Sequence, residues 1–375
     1  MIIKNAHVFT ENGFIVKDIY TDGDRISLSP KANAEIIDAE NLYAIPGLID
    51  LHFHGCMGYD FCDGTQEAIQ AIADYEAGWG VTSIAPATMS FAYDTLERIF
   101  QNAASYRSIR GAGLVGINME GPYLNPAKKG AHNEAFLMAP ELAHFRAMQQ
   151  LSEGLIKLLA IAPEVAGAMD FIKALRDEVV ISAAHTFADY DTAVEAFRNG
   201  ASNVTHLYNA MPAFSHRSPG VIGAALDTDH VKVELICDGI HVAPSVVRAT
   251  FKMFGDDRII LISDSMMATG LEDGEYSLGG QKVQVSGSKA TLMDGTLAGS
   301  TTNLMLCMKT AVSMGIPLIS AVKCASVNPA KQLGIYEEYG SLTPGKYADI
   351  VLLNPDLTIN RVILKGKIFP HIKQS

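Results

Sequence analysis

His52-Phe53-His54 closes the apolar run Ala44-Ile45-Pro46-Gly47-Leu48-Ile49-Asp50-Leu51. Side chains two apart on a strand point the same way, so an H-x-H at a strand end aims two imidazoles at one point, the geometry of a metal-ligand pair. Taken alone, such a pair is as readily two surface histidines. Four further candidate ligands, Glu120, His185, His206 and Asp264, each follow a short apolar run rich in β-branched residues, with helical sequence between most of the runs. Mixed nitrogen and oxygen ligands suit a divalent ion, Zn, Fe, Mn or Co, and without thiolates the metal is undetermined. One or two ions are compatible with the set: Glu120 can bridge a pair, and Asp264 can touch both a metal and a water beside it. A metal lowers the pKa of water and polarises a carbonyl oxygen, while a neighbouring carboxylate relays the proton to the leaving group. These are the parts needed for hydrolysis.

Ligands so far apart in sequence need elements that bring them together. Residues 1 to about 43 read as short strands and turns, with Asn12-Gly13 and Asp22-Gly23 as turn signals. From Pro46 onward an apolar strand, a polar loop and an amphipathic helix alternate. Ile69, Ile72 and Ala73 have helical spacing within Thr65 to Gly78, and helices are predicted over Tyr93 to Arg110, Pro140 to Leu151, Ala166 to Asp177, Tyr190 to Asn199 and Pro244 to Phe254. Counting the first, eight strands result, nearly all followed by a helix. Buried parallel strands joined by right-handed crossovers predict a closed (β/α)8 barrel, whose strand C-termini converge on one face. Glu275 to Leu297 is strand-like, Thr302 to Ser313 and Ile319 to Leu333 helical, and Tyr347 to Leu353 and Ile359 to Ile368 strand-like again. The expected organisation is a small β-sandwich domain built from residues 1–45 and 346–375, with a hydrolase barrel over 46–345.

Composition narrows the function. The 29 Lys and Arg stand against 41 Asp and Glu, a formal net charge of −12, which argues against nucleic acid or an anionic membrane as main partner. An anionic substrate must therefore meet local cations. The start lacks a basic segment leading into an apolar one, and no uncharged run approaches the roughly 18 residues that span a bilayer. Cytoplasm is the expected location. The five cysteines form no C-x-x-C, so neither a disulfide framework nor a thiolate zinc site is indicated.

The H-x-H on the first strand, histidines closing the fifth and sixth, an aspartate closing the eighth and a β domain from both ends resemble the amidohydrolase superfamily. Within it, nearly the whole chain is similar to the branch that deacetylates N-acetyl-D-glucosamine 6-phosphate. The segments that carry the likeness are Met119-Glu120-Gly121-Pro122-Tyr123-Leu124, Lys129-Gly130-Ala131-His132-Asn133, His206-Leu207-Tyr208-Asn209-Ala210-Met211-Pro212, Asp238-Gly239-Ile240-His241, Ser263-Asp264-Ser265-Met266-Met267 and Gly295-Thr296-Leu297-Ala298-Gly299-Ser300. Ala162-Pro163-Glu164 at the fourth strand end separates the chain from relatives that bridge two metals with a carboxylated lysine. The resemblance implies that Glu120, His185 and His206 hold the family's common metal and that Asp264 is catalytic base, then acid. It also implies that His132, with Ala131 beside it, polarises the acetyl carbonyl. Backbone groups of Asn209 and Ala210, with Arg217 and His241, would hold the phosphate; Leu297, Ala298 and Gly299 would line the sugar pocket. Some members lack the first-strand pair and use one metal; His52 and His54 are kept here.

Two of these roles have independent chemical support. Arg217 lies in the polar loop Ser215-His216-Arg217-Ser218-Pro219-Gly220, where a guanidinium suits a dianionic phosphate. His132 sits between small residues in a loop after the third strand. The loop from Pro212 to Gly220 is long and proline-stiffened, with Met211 and Phe214 expected exposed at its base, which together with the resemblance predicts a homodimer that lends Arg217 to the neighbouring site. Alternatives are another amidohydrolase, such as a cyclic amidase or a deacetylase of a related N-acetylhexosamine phosphate, and a catalytically dead barrel kept for binding.

Overall fold

A computed structural model describes residues 1–370; the last five residues of the expected C-terminal β segment lie outside the described residues. Leu48–Asp50, Val81–Ile84 and Gly113–Leu114 form one parallel sheet. Ile117–Met119, Ile156–Ile161, Val180–Ala183, Asn203–Val204, Lys232–Ile236 and Ile259–Ile262 form a second, also parallel throughout. Gly113–Leu114 and Ile117–Met119 are two parts of a single run. Backbone hydrogen bonds connect the two sheets at both edges: Thr88 N–H donates to Asn118 O (2.9 Å), and Asp264 N–H donates to His52 O (2.9 Å). The last of the eight strands is thereby tied to the first, immediately beside the candidate ligands.

These short strands are covered on both faces, mostly by apolar side chains. Ile49, Leu51, Ile236, Ile260 and Ile262 pack in one cluster with Ala330 and Leu333 of the C-terminal helices, while Phe100, Phe145 and Phe197 from surrounding helices fill the main core, all nearly inaccessible. Local signals set the helix starts. The Thr65 hydroxyl accepts from Ala68 N–H ahead of Gln66–Gly78, and the Asp189 carboxylate accepts from Thr192 N–H ahead of Tyr190–Asn199. The helices Tyr190–Asn199 and Pro244–Phe254 match the expected spans. Tyr93–Ser105 ends five residues before the expected Arg110, because Tyr106 is extended and Gly111 must pass over Ala73 at a positive φ of 79°, where an added Cβ would lie 2.6 Å from the Ala73 carbonyl carbon. The stretch expected as one helix over Ile319 to Leu333 carries a π-helical turn at Lys323–Val327 between Leu318–Val322 and Asn328–Gln332.

The chain ends meet in an eight-stranded sheet. Ile350–Leu353 pairs antiparallel with Tyr43–Pro46, which lies parallel to Ile2–Thr10, and Ile359–Leu364 and Gly13–Asp22 extend the sheet on either side. Ile3, Val8, Ile19, Ala44, Ile350 and Ile363 give it a core of its own. The region after the eighth parallel strand is a four-stranded antiparallel meander, Gly274–Leu278, Gln281–Ser286, Lys289–Leu292 and Leu297–Ser300. Ser300 N–H donates to Asp264 O (2.7 Å), which docks the meander against the strand end that presents Asp264.

Candidate metal centre and active site

Five side chains from four strand ends gather around Glu120 at a fifth. Its Oε1 lies 3.1 Å from His185 Nε2, 3.3 Å from His206 Nε2 and 3.4 Å from His52 Nε2; its Oε2 lies 3.4 Å from His54 Nε2. Asp264 Oδ1 stands 3.3 Å from His54 Nε2. All six residues are buried. Two groups of donors are close enough to share an ion, His52 with His54 and Glu120, and Glu120 with His185 and His206. His185, His206 and Asp264 hold positive φ values of 43°, 26° and 50°. A non-glycine residue there costs on the order of 1–3 kcal/mol, and such strain collects at functional sites.

The hydrogen-bond pattern tests whether a cation fits. His185 Nδ1 is 2.8 Å from Lys128 O and His52 Nδ1 is 2.8 Å from Glu234 Oε2; both partners only accept, so each Nδ1 carries a proton and each Nε2 is the nitrogen turned inward to serve as a ligand. His185 Nε2 and His206 Nε2 are 3.1 Å apart beside the Glu120 carboxylate, and His52 Nε2 is buried with no hydrogen-bond partner. Burial lowers the His52 pKa, but the Glu120 and Glu234 carboxylates outweigh it and raise the value well above 6.5, so this buried pocket favours positive charge, which a divalent cation supplies. Donors about 2.0–2.1 Å from a tetrahedral ion stand roughly 3.3 Å apart, close to the spacing observed. The residues fit the metal.

Around the cluster lies a cavity of about 460 Å³. His54, Glu120, His185, His206 and Asp264 form its floor, and Ala131, His132, Asn209, Ala210, His241, Leu297, Ala298 and Gly299 line it together with Lys128 and Lys129. His132 Nδ1 accepts from Ser90 N–H (3.1 Å), so its Nε2 carries the proton and points to the Glu120 side, 3.6 Å from Oε2. Burial holds this imidazole neutral, its pKa lowered to about 4 despite the neighbouring Glu120. His241 has the opposite balance: burial lowers its pKa, but the Asp238 carboxylate, 2.6 Å from Nδ1, outweighs that and raises it. Asn209 N–H donates to His206 O (2.9 Å) and its carboxamide NH2 donates to His206 O and Leu207 O (3.3 Å each), so the turn uses these donors, while Asn209 and Ala210 both line the cavity. Gly299 is required where the meander meets the floor: at its φ of 68° a Cβ would lie 3.1 Å from Asp264 O.

The amidohydrolase family model matches residues 43–369. The chain belongs to the amidohydrolase family. This amidohydrolase is 37% identical to a Bacillus subtilis (strain 168) N-acetylglucosamine-6-phosphate deacetylase over 98% of the chain and 96% of the relative. It is 34% identical to an Escherichia coli O157:H7 N-acetylgalactosamine-6-phosphate deacetylase over 88% of each. Among solved structures it superposes with a TM-score of 0.92, at 31% identity and covering 98% and 99% of the two chains, on a Mycobacterium smegmatis N-acetyl-D-glucosamine-6-phosphate deacetylase. That protein is an aspartate-to-alanine mutant in complex with N-acetyl-D-glucosamine-6-phosphate.

Of the residues expected around the cavity from the loop Pro212 to Gly220 and its base, Met211 departs from expectation, and Arg217, expected at a neighbouring subunit's site, lies outside its own chain's cavity. Arg217 sits in an exposed turn closed by reciprocal Ser215 and Ser218 backbone bonds and is not among the residues lining its own chain's cavity. Met211, expected exposed, is 5% exposed and packs in the main core, because the turn after His206 folds back and presents only its carbonyl, which accepts from Lys128 Nζ; Phe214 is exposed. Sequence reasoning missed Glu234, buried behind His52, and gave no role to Glu164. The Glu164 carboxylate accepts from Asn125 Nδ2, Thr186 Oγ1 and Phe187 N–H, joining the loop that carries His132 to the loop that follows His185. Glu234 left a legible signal: a carboxylate inside the apolar strand Lys232–Ile236 must be paired when buried. Among the described residues no helix is long and apolar enough to cross a membrane.

Proposed function

We propose that this amidohydrolase hydrolyses the N-acetyl group of N-acetyl-D-glucosamine 6-phosphate, giving D-glucosamine 6-phosphate and acetate. One observation carries the reading: a metal-fitting cluster, a proton-bearing His132 Nε2 and the Asp264 carboxylate line a single cavity that also holds His241 and two lysines. The relatives named above supply the substrate. We assign Glu120, His185 and His206 to one ion and His52, His54 and Glu120 to a second, with Asp264 at their edge; the metal is Zn, Fe, Mn or Co. When bound, a divalent ion supplies Lewis acidity toward water and the acetyl carbonyl. Asp264 takes a proton from the attacking water, the water oxygen adds to the acetyl carbon, and His132 Nε2–H hydrogen-bonds the carbonyl oxygen as charge gathers on it. Asp264 then returns the proton to the sugar nitrogen as the C–N bond breaks, and the proton left on the former water oxygen passes to the amine, so the products leave as acetate and an ammonium sugar.

At the other end of the cavity His241, Asn209 and Ala210 hold the phosphate, and Leu297, Ala298 and Gly299 lie against the sugar. Arg217 completes the phosphate site from the partner of a homodimer, in keeping with its position outside its own cavity. The eight parallel strands form one closed barrel under this reading, over residues 46–345. The sheet from 1–45 and 346–370 folds over its Ile3–Val8–Ile350 core as a small β sandwich. Five free, buried cysteines accord with a reducing, cytoplasmic location. Acetate release from N-acetylglucosamine 6-phosphate, its galactosamine epimer, the unphosphorylated sugar and a cyclic amide tests the assignment. Hydrolysis of the two phosphosugars far above the other two is expected, and their ratio fixes the hexosamine; preference for the cyclic amide would overturn the reading.

A further inference from the structure

Glu234 is fully buried in the middle of the apolar strand Lys232–Ile236, and one of its oxygens serves two candidate ligands while the other is held by Asn203. Oε2 receives His52 Nδ1 (2.8 Å) and His206 N–H (3.2 Å), while Oε1 receives Asn203 Nδ2 (2.7 Å), which also reaches Ser182 Oγ (3.0 Å). Its hold on the two ligands is unequal. For His52 it binds the ring, fixing the proton on Nδ1 and leaving Nε2 free toward Glu120. For His206 it binds only the main chain, and the ring is untouched. The matching ring contact of His185 is the neutral Lys128 carbonyl (2.8 Å). An anion on the far nitrogen makes an imidazole a stronger donor than a carbonyl does.

We propose that Glu234 is a positioning residue that selectively sets the affinity of the ion held by His52, His54 and Glu120, and so decides whether the site works with one ion or two. This rests on the metal-dependent reading of the site. A Glu234→Gln variant separates charge from shape. Its amide oxygen can keep the His52 and His206 contacts at the Oε2 position while Asn203 turns its own carboxamide to accept from the new NH2, so the ring stays in place and loses only its anionic partner.

The test is equilibrium dialysis of metal-stripped protein against rising free Zn²⁺, with bound zinc counted per chain. Wild type should fill in two steps, the one belonging to the pair being the step that His54→Ala removes. Glu234→Gln should weaken that step by about 10–100-fold and leave the other within about threefold. An unchanged His54-dependent step, equal weakening of both steps, or a single wild-type step indifferent to His54→Ala would each overturn the inference. A wild-type chain that binds no zinc would instead overturn the metal-dependent reading itself. Should Glu234→Gln fail to fold, Asn203→Leu, which frees Oε1, must show the same selective weakening in smaller measure; equal or absent weakening there overturns the inference as well.

Discussion

Replacing His132 by alanine removes one preorganised donor and leaves all six side chains of the ligand cluster in the chain. The ring is 1% exposed, is held through Nδ1 by Ser90 N–H (3.1 Å) and by Ser90 Oγ (2.9 Å), and stands with Nε2 at 3.6 Å from Glu120 Oε2, the longest of the imidazole contacts to that carboxylate. A single donor aimed at a developing oxyanion in a dry site is worth about 10²–10³ in kcat, roughly 2.7–4 kcal/mol. His132→Ala should therefore lose that factor in kcat, with metal content unchanged and KM nearly so. Ser90→Ala is the internal control: the Ser90 N–H still fixes the tautomer, and one lost hydroxyl contact costs about 0.5–1.5 kcal/mol, at most about tenfold. Steady-state acetate release with metal analysis on both variants decides the matter. His132→Ala within about threefold of wild type at full metal content, or Ser90→Ala as damaged as His132→Ala, would refute the donor role, since the first leaves no oxyanion term and the second places the effect in loop structure.

His206→Ala should abolish nearly all activity, since His206 closes the group of three with Glu120 and His185; His52→Ala should lower metal content with a smaller loss, both read by metal analysis alongside kinetics. Arg217→Ala and Asp264→Asn homodimers should each be nearly inactive, yet an equal, fully exchanged mixture should recover roughly a quarter of wild-type activity, because half the dimers then carry one intact site; no recovery would place Arg217 in its own subunit's cavity. The Asp238 contact raises the His241 pKa above the ordinary 6.5, so phosphosugar binding that uses the imidazolium is full at low pH and declines as pH rises through that raised value. In Asp238→Asn the rise of KM should begin at lower pH, as measured by a KM-against-pH series.

Strong periodicity with clear flanking signals made the helices legible. Tyr190–Asn199 has Asp189 before it and Gly200 after it, and Pro244–Phe254 starts on proline and stops at Gly255. Tyr93–Ser105 has no comparable stop signal at its end, since the close approach of Gly111 to Ala73 is a tertiary contact that no local pattern encodes. The same division holds in the site. His52, His54, Glu120, His185, His206 and Asp264 were conspicuous because parallel strands deliver residues at their C-terminal ends to one place. Met211 misled because an apolar residue beside a polar loop reads the same whether the chain turns inward or outward, and only the fold puts it in the core. Glu164 is the counterpart: its three contacts come from segments 22 to 39 residues away, visible only once the loops are assembled.

Metal-dependent deacetylation is tested most directly by one measurement: acetate released from N-acetylglucosamine 6-phosphate by protein stripped with a chelator, then resupplied with a divalent ion. The buried imidazole nitrogens gathered around Glu120 predict that the stripped protein is folded but inactive, and that activity returns with the first equivalents of Zn, Fe, Mn or Co bound. Full acetate release from protein shown to be free of metal would contradict it.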